Sequence, residues 1–100
     1  MVPDSPQICI ADIVQSTAGH DCGGLFYVVE AAGEFVLLAN GKQRKLEQPK
    51  RKKLKHVRMV SRPDSVVAER IRSGGKVLNS ELRRDLAAFS QDILSHYQGG

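Results

Sequence analysis

The sequence predicts a mainly β fold, a small five-stranded barrel followed by two helices, and three observations predict it. Five short stretches rich in β-branched, aromatic or alternating apolar residues fall between residues 8 and 61, separated by Gly- and Asn-bearing turns. The chain changes character at Pro63, beyond which apolar residues recur with helical spacing. The composition, 41% hydrophobic with no Trp, three Phe and two Tyr, allows one modest core in 100 residues. A barrel this small is marginal alone, and the tail is expected to supply cover.

Taken in order, residues 1–7 (MVPDSPQ) hold two prolines, an Asp and a Ser and read as a disordered lead-in. Residues 8–16 (ICIADIVQS) are a first strand. The loop TAGHDCGG carries three glycines in eight residues, which implies unusual torsions or close approach. Residues 25–30 (LFYVVE) are a second strand, AAG a short turn, and residues 34–40 (EFVLLAN) a third strand. Both faces of that third strand, Phe35/Leu37 and Val36/Leu38, are apolar, so something is expected to pack on each side. Asn40-Gly41 is a strong two-residue hairpin signal, predicting a fourth strand over residues 42–46. Pro49 interrupts, and alternation of Val57 and Met59 with His56 and Arg58 predicts a fifth strand over 55–61. The barrel unit thus spans 8–62 and a helical extension 63–98.

Within the extension, residues 64–73 open on Pro-Asp-Ser and stop at Gly74-Gly75, a helix with a start and a stop. Asn79 then caps a longer helix over 80–97, where Leu82, Leu86, Phe89, Ile93 and Tyr97 form one face. That stripe is packing surface, and an alternative use is a partner helix.

Charge is strongly polarised. Residues 42–58 (KQRKLEQPKRKKLKHVR) hold nine Lys/Arg against one acid, a net +8, whereas the other 83 residues carry six basic and ten acidic side chains, net −4. A cluster of this kind is a footprint for a polyanion, because each cation on a phosphate releases condensed counterions. With about five engaged, affinity would fall a few hundred-fold between ~50 and ~200 mM salt. A solvated loop or a nuclear import signal has similar composition. Leu46, Pro49, Leu54, Val57 and Met59, however, punctuate the charges and tie the segment to a folded body.

GHDCGGLFYVVE, followed by ANGKQRKLEQPKRKKLKH, resembles the KOW-type RNA-binding domain. Within that group it is most similar to small bacterial relatives of the fourteen-e, six-e and twenty-seven-e proteins of the large ribosomal subunit. KVLNSELRRDL is similar to the family's polar cap and Arg-bearing helix, so the resemblance covers residues 8–86. It implies an SH3-like five-stranded barrel, RNA binding, and association with ribosomes or translation. Its implied partners are RNA, ribosomal in the first place, and a ribosomal or translation-factor protein. By position, Gly23 matches the glycine of the KOW turn, with Gly19 and Gly41 as further turn glycines. Lys42, Arg44 and Lys45 match the basic residues after the hairpin, and Lys50, Arg51, Lys52, Lys53, Lys55 and His56 the basic block. Arg58 completes the RNA-binding set on charge alone. The family's glycine loop usually carries basic residues. His20, Cys22 and Gly24 stand there instead, which shifts the burden of contact to 42–58.

These cations would grip phosphate and ribose and read shape more than sequence. Phe26, Tyr27 and Phe35 are expected in the core, not as stacking platforms, which favours structured RNA over an unpaired strand. No enzyme is expected: His20-Asp21-Cys22 is not a triad, and no phosphate loop or dinucleotide fingerprint occurs. No cofactor or metal is expected either, since Cys9, Cys22, His20 and His56 lack a zinc spacing. Cys9 reads as a buried small residue and Cys22 as a loop thiol, most simply both reduced in the cytoplasm, though the spacing leaves a bridge open. No apolar run reaches the ~18 residues of a membrane span, and the first residues lack the pattern of a secretory signal.

Overall fold

The computed structural model describes residues 7–98, with side chains described through residue 91. Most of the expected lead-in, residues 1–6, and the terminal Gly99-Gly100 lie outside the described residues, as do the side chains of Ile93 and Tyr97.

Five strands form one antiparallel sheet: β1 (Ile13–Ser16), β2 (Leu25–Ala32), β3 (Phe35–Ala39), β4 (Lys50–Lys53) and β5 (Val57–Ser61). Their order is β4-β3-β2-β1-β5. A single 3-10 turn, Leu54–His56, carries the chain from β4 to β5. Among the described residues these two edge strands do not pair with each other, so hydrogen bonding does not close the sheet. Two helices follow, α1 (Val66–Ser73) and α2 (Asn79–Gln98).

The first strand is shorter than its apolar run suggests. Asp12, fully buried, accepts from the Cys9 amide at 2.8 Å and from Arg62 at 2.9 and 3.1 Å. A buried carboxylate needs such partners, and satisfying this one folds residues 9–12 into a turn with Ala11 in the left-handed region at φ 72°. Cys9 is consequently exposed, not buried.

The fourth strand lies elsewhere than expected. Asn40 does not open a two-residue hairpin. Its Oδ1 accepts from the amides of Lys42 and Arg44, each at 3.0 Å, winding residues 40–44 into an Asx-type loop. Residues 45–48 turn again, and β4 begins only after Pro49, pairing Lys50 with Leu38 and Lys53 with Phe35. The fifth strand starts at Val57, with Lys55 and His56 in the 3-10 turn before it.

Two cores result. On the inner face of the curved sheet, Val14, Phe26, Val28, Val36 and Leu38 are buried together, closed over by Ile8, Leu54 and Val57. On the outer face, Ile13, Tyr27 and Ala39 meet Val67 and Ala68 of α1 and Leu82 and Leu86 of α2. The helices do supply the missing cover, but for only part of that face. Phe35 and Leu37 lie beyond them and stay half-buried, so the expectation of packing on both sides of β3 is met on one side only.

Polar contacts lock the helices down. Ser65 caps α1 through the Ala68 amide at 3.1 Å, and Gly74 ends it at φ 77°. The Tyr27 hydroxyl donates to Asp85, to which Ser65 also donates at 3.1 Å, so β2, α1 and α2 share one network. Burial, then the neighbouring carboxylate, pushes the Tyr27 phenol well above its ordinary range. Asn79 is not the cap of α2. Its Oδ1 accepts from the Leu46 amide at 2.8 Å and its Nδ2 donates to Glu47 at 2.6 Å, pinning the helix start to the basic loop. Glu81 caps instead, accepting from the Leu78 amide at 3.0 Å, and that bond holds its carboxyl below the usual range.

Candidate nucleic-acid interface

The basic segment does not form one uniform patch; the fold divides it. Strand alternation turns Lys50 and Lys52 towards the inner side, with Val36 and Leu38, and Arg51 and Lys53 outward, with Leu37 and Phe35. Lys52 is only 9% exposed, and its Nζ donates to the Ala18 carbonyl at 2.7 Å and sits 4.0 Å from Asp21. Arg44 donates to the same Asp21 carboxylate at 3.0 Å. Arg58 donates to Gln15 Oε1 at 2.6 Å, bridging β5 to β1. His56 is half-buried, and its carbonyl accepts from the Thr17 amide at 2.9 Å.

Three of the ten expected RNA-contacting residues, Arg44, Lys52 and Arg58, thus have side chains drawn into internal contacts, and half-buried His56 is held through its backbone. The other six, Lys42, Lys45, Lys50, Arg51, Lys53 and Lys55, make no ion pair among the described residues, and all but half-buried Lys50 are exposed. Lys45, Lys50 and Arg51 line a groove of about 540 Å³ between the 43–49 loop and the start of β4. Lys53, at the end of β4, and Lys55, in the 3-10 turn, line the next hollow along the chain. Lysines on an edge strand also discourage pairing with other sheets. That reading accounts for Lys50 and Lys53 but not for Lys42, Lys45 and Lys55, which lie off the strand.

The glycine loop reaches the basic segment through an acid, Asp21, whose pairing with Arg44 and Lys52 the sequence did not reveal. Gly19 and Gly23 take positive φ, and the Gly23 amide donates to the Ser16 carbonyl at 2.8 Å, which curls the loop back. Gly19 sits so close to Lys52 that an added Cβ would meet Nζ at 3.3 Å. The Arg44 hydrogen bond, reinforced by its charge and that of Lys52, holds the Asp21 carboxyl below its ordinary value of 3.8. A depressed carboxyl contributes stability that is whole above the unfolded pKa and is lost as pH falls through the folded one. The urea midpoint is therefore expected to hold from pH 7 to about 5 and to decline below about 4, and Asp21→Asn should flatten part of that decline. A variant that declines as steeply as the parent would show that Asp21 clamps nothing.

Other groupings raised by the sequence are not assembled. Asp21 faces Arg44, not a His20–Cys22 pair, and Cys9 and Cys22 are both free and exposed. Among the described residues no three His, Cys, Asp or Glu stand close enough to hold a metal ion, and no helix is long and apolar enough to cross a membrane. Phe26 and Tyr27 are core, 3% and 0% exposed. Phe35 is not: the Arg51 guanidinium lies over its ring, 4.1 Å from the centroid. The signal available in the sequence was the doubly apolar pattern of residues 34–38, which leaves one face in excess of what a single core can cover. Compared with known proteins, the chain matches no family model and no curated protein.

Proposed function

We propose that this protein is a non-catalytic RNA-binding module of the KOW type, docking on ribosomal or other structured RNA through its basic edge and so associated with translation. The carrying observation is the set of six cations that make no ion pair among the described residues, along β4 and its flanking turns, on a body whose remaining residues are net acidic. With their backbone held by β4 and its flanking turns, these charges meet phosphates without the chain first being ordered, which lowers the entropic cost of binding. The strand order, with one 3-10 turn between the edge strands, fits an SH3-like barrel whose two edges approach without pairing. The alternative is a protein-interaction module using the barrel or the α2 stripe; the stripe has little surface at its disposal, since Leu82 and Leu86 are buried against the sheet.

Crosslinking in cells followed by sequencing of bound RNA tests the reading. Enrichment of ribosomal RNA at a discrete site is the expected result. Reads scattered over messenger RNA would remove the ribosomal part, and recovery of no RNA above background would remove the whole.

A further inference from the structure

We infer that the outer face of β3–β4 carries a stacking site for one unpaired nucleotide, built from Phe35 and Arg51. This rests on the RNA-binding reading and adds to it a class of ligand: structured RNA with a bulged or looped-out base, not a plain duplex. Phe35 lies on the part of the outer face beyond the helices, half-buried and a member of neither core cluster. Arg51, which pairs with Leu37 and so lies diagonal to Phe35 on the same face, holds its guanidinium carbon over the ring, 4.1 Å from the centroid. A guanidinium parked on an aromatic ring presents a second planar face outward, and bases stack on such planes as they do on aromatic rings.

The surroundings fit a nucleotide. The ring stands between two hollows: one of about 300 Å³, lined by Lys53, Leu54 and Lys55, and one of about 260 Å³, lined by Glu30, Leu37 and Arg51. Lys53 and Lys55 make no ion pair among the described residues and supply phosphate partners on the first side. Glu30 repels phosphate on the second, so the backbone has a preferred direction across the ring. Glu34, which also borders the first hollow, is an acceptor suited to a base amino group. Arg–aromatic pairs occur as ordinary surface packing about once per 70–80 residues. The distinguishing features here are the uncovered position and the cations alongside.

The test compares binding of oligouridylate and of a blunt RNA duplex, at matched salt, by the parent, Phe35→Leu and Arg51→Lys. Phe35→Leu keeps an apolar side chain on β3, and Arg51→Lys keeps the charge while removing the plane. Stacking on one base is worth about 1–3 kcal/mol, so each variant is expected to lose roughly 5- to 150-fold on oligouridylate. Phe35→Leu should stay within about twofold of the parent on the duplex, where no base is free to stack. Arg51→Lys, which keeps its charge for phosphate, should lose several-fold less on the duplex than on oligouridylate. A fluorescent base analogue in the single strand should be quenched by the parent and not by Phe35→Leu. Equal losses on both ligands, or no loss on either, would overturn the stacking site while leaving the RNA reading standing. A parent protein that binds neither ligand would remove both together. Circular dichroism of each variant separates loss of the site from loss of the fold.

Discussion

Replacing Lys42, Lys45, Lys50, Lys53 and Lys55 together by Gln is expected to weaken binding to a structured RNA by about a thousand-fold at ~100 mM salt, with the fold retained. The size follows from counterion release. Each phosphate contact contributes about 0.7–0.9 to the slope of log affinity against log salt, and about four such contacts correspond to three logarithmic units at that concentration. The slope itself should fall by about three, a second and independent readout. The fold should survive because none of the five makes an ion pair or side-chain hydrogen bond among the described residues. Arg51 is left in place, so its contact with Phe35 is undisturbed. Lys52→Gln is the informative contrast: its Nζ is committed to Ala18 and Asp21, so it should cost stability, of order 1–2 kcal/mol, before it costs affinity. Affinity within threefold of the parent and an unchanged salt slope in the five-lysine variant would show that RNA, if bound, is held elsewhere.

That contrast marks where the sequence was legible and where it was not. Elements announced by local chemistry were read correctly in kind: α1 between Ser65 and Gly74, the β2–β3 turn at Gly33, and the burial of Leu82 and Leu86 on one helical face. β4 was misplaced because KRKK has no apolar partner to show alternation; four like side chains look the same in a loop and in a strand. Only its register against Val36 and Leu38 sorts them into inward and outward cations. Asn79 misled for a different reason. An Asn before a helical stripe is a good cap, and equally a good bridge to a neighbouring loop, and the choice is set by Leu46 and Glu47, more than thirty positions away. The site suffered most from this. Asp21 meets Arg44 across 23 positions, and no periodicity encodes such a pair. The total charge of the segment was therefore visible in the sequence, while the division between cations that hold the fold and cations left for a ligand was not.

Gly41→Ala is expected to be strongly destabilising although it removes no side chain, costing about 2–4 kcal/mol, or a fall in melting temperature of roughly 10–20 °C for a domain of this size. Two costs coincide at this position. The backbone sits at φ 76°, where a side chain costs about 1 kcal/mol by itself. In addition, a Cβ built on Gly41 would collide with the Asn79 carbonyl oxygen and stand 3.1 Å from Arg83 Cγ. The start of α2 would have to withdraw. Withdrawal would strain the Arg83 bond to the Gly41 carbonyl, now 2.8 Å, and the Asn79 bridge to Leu46 and Glu47. Leu82, fully buried one turn into the helix, would lose its place on the sheet as well. Gly33→Ala isolates the first cost. Gly33 has φ 61° but open space around its Cβ, so it should lose only about 1 kcal/mol. Thermal denaturation followed by far-ultraviolet circular dichroism measures both. If the two alanines proved equally damaging, the close approach of α2 to the basic loop would contribute nothing to stability. If instead Gly41→Ala alone lowered both the melting temperature and the affinity for RNA, the helix would be shown to hold the 40–49 loop, and with it Lys42 and Lys45, in the position from which they reach a ligand.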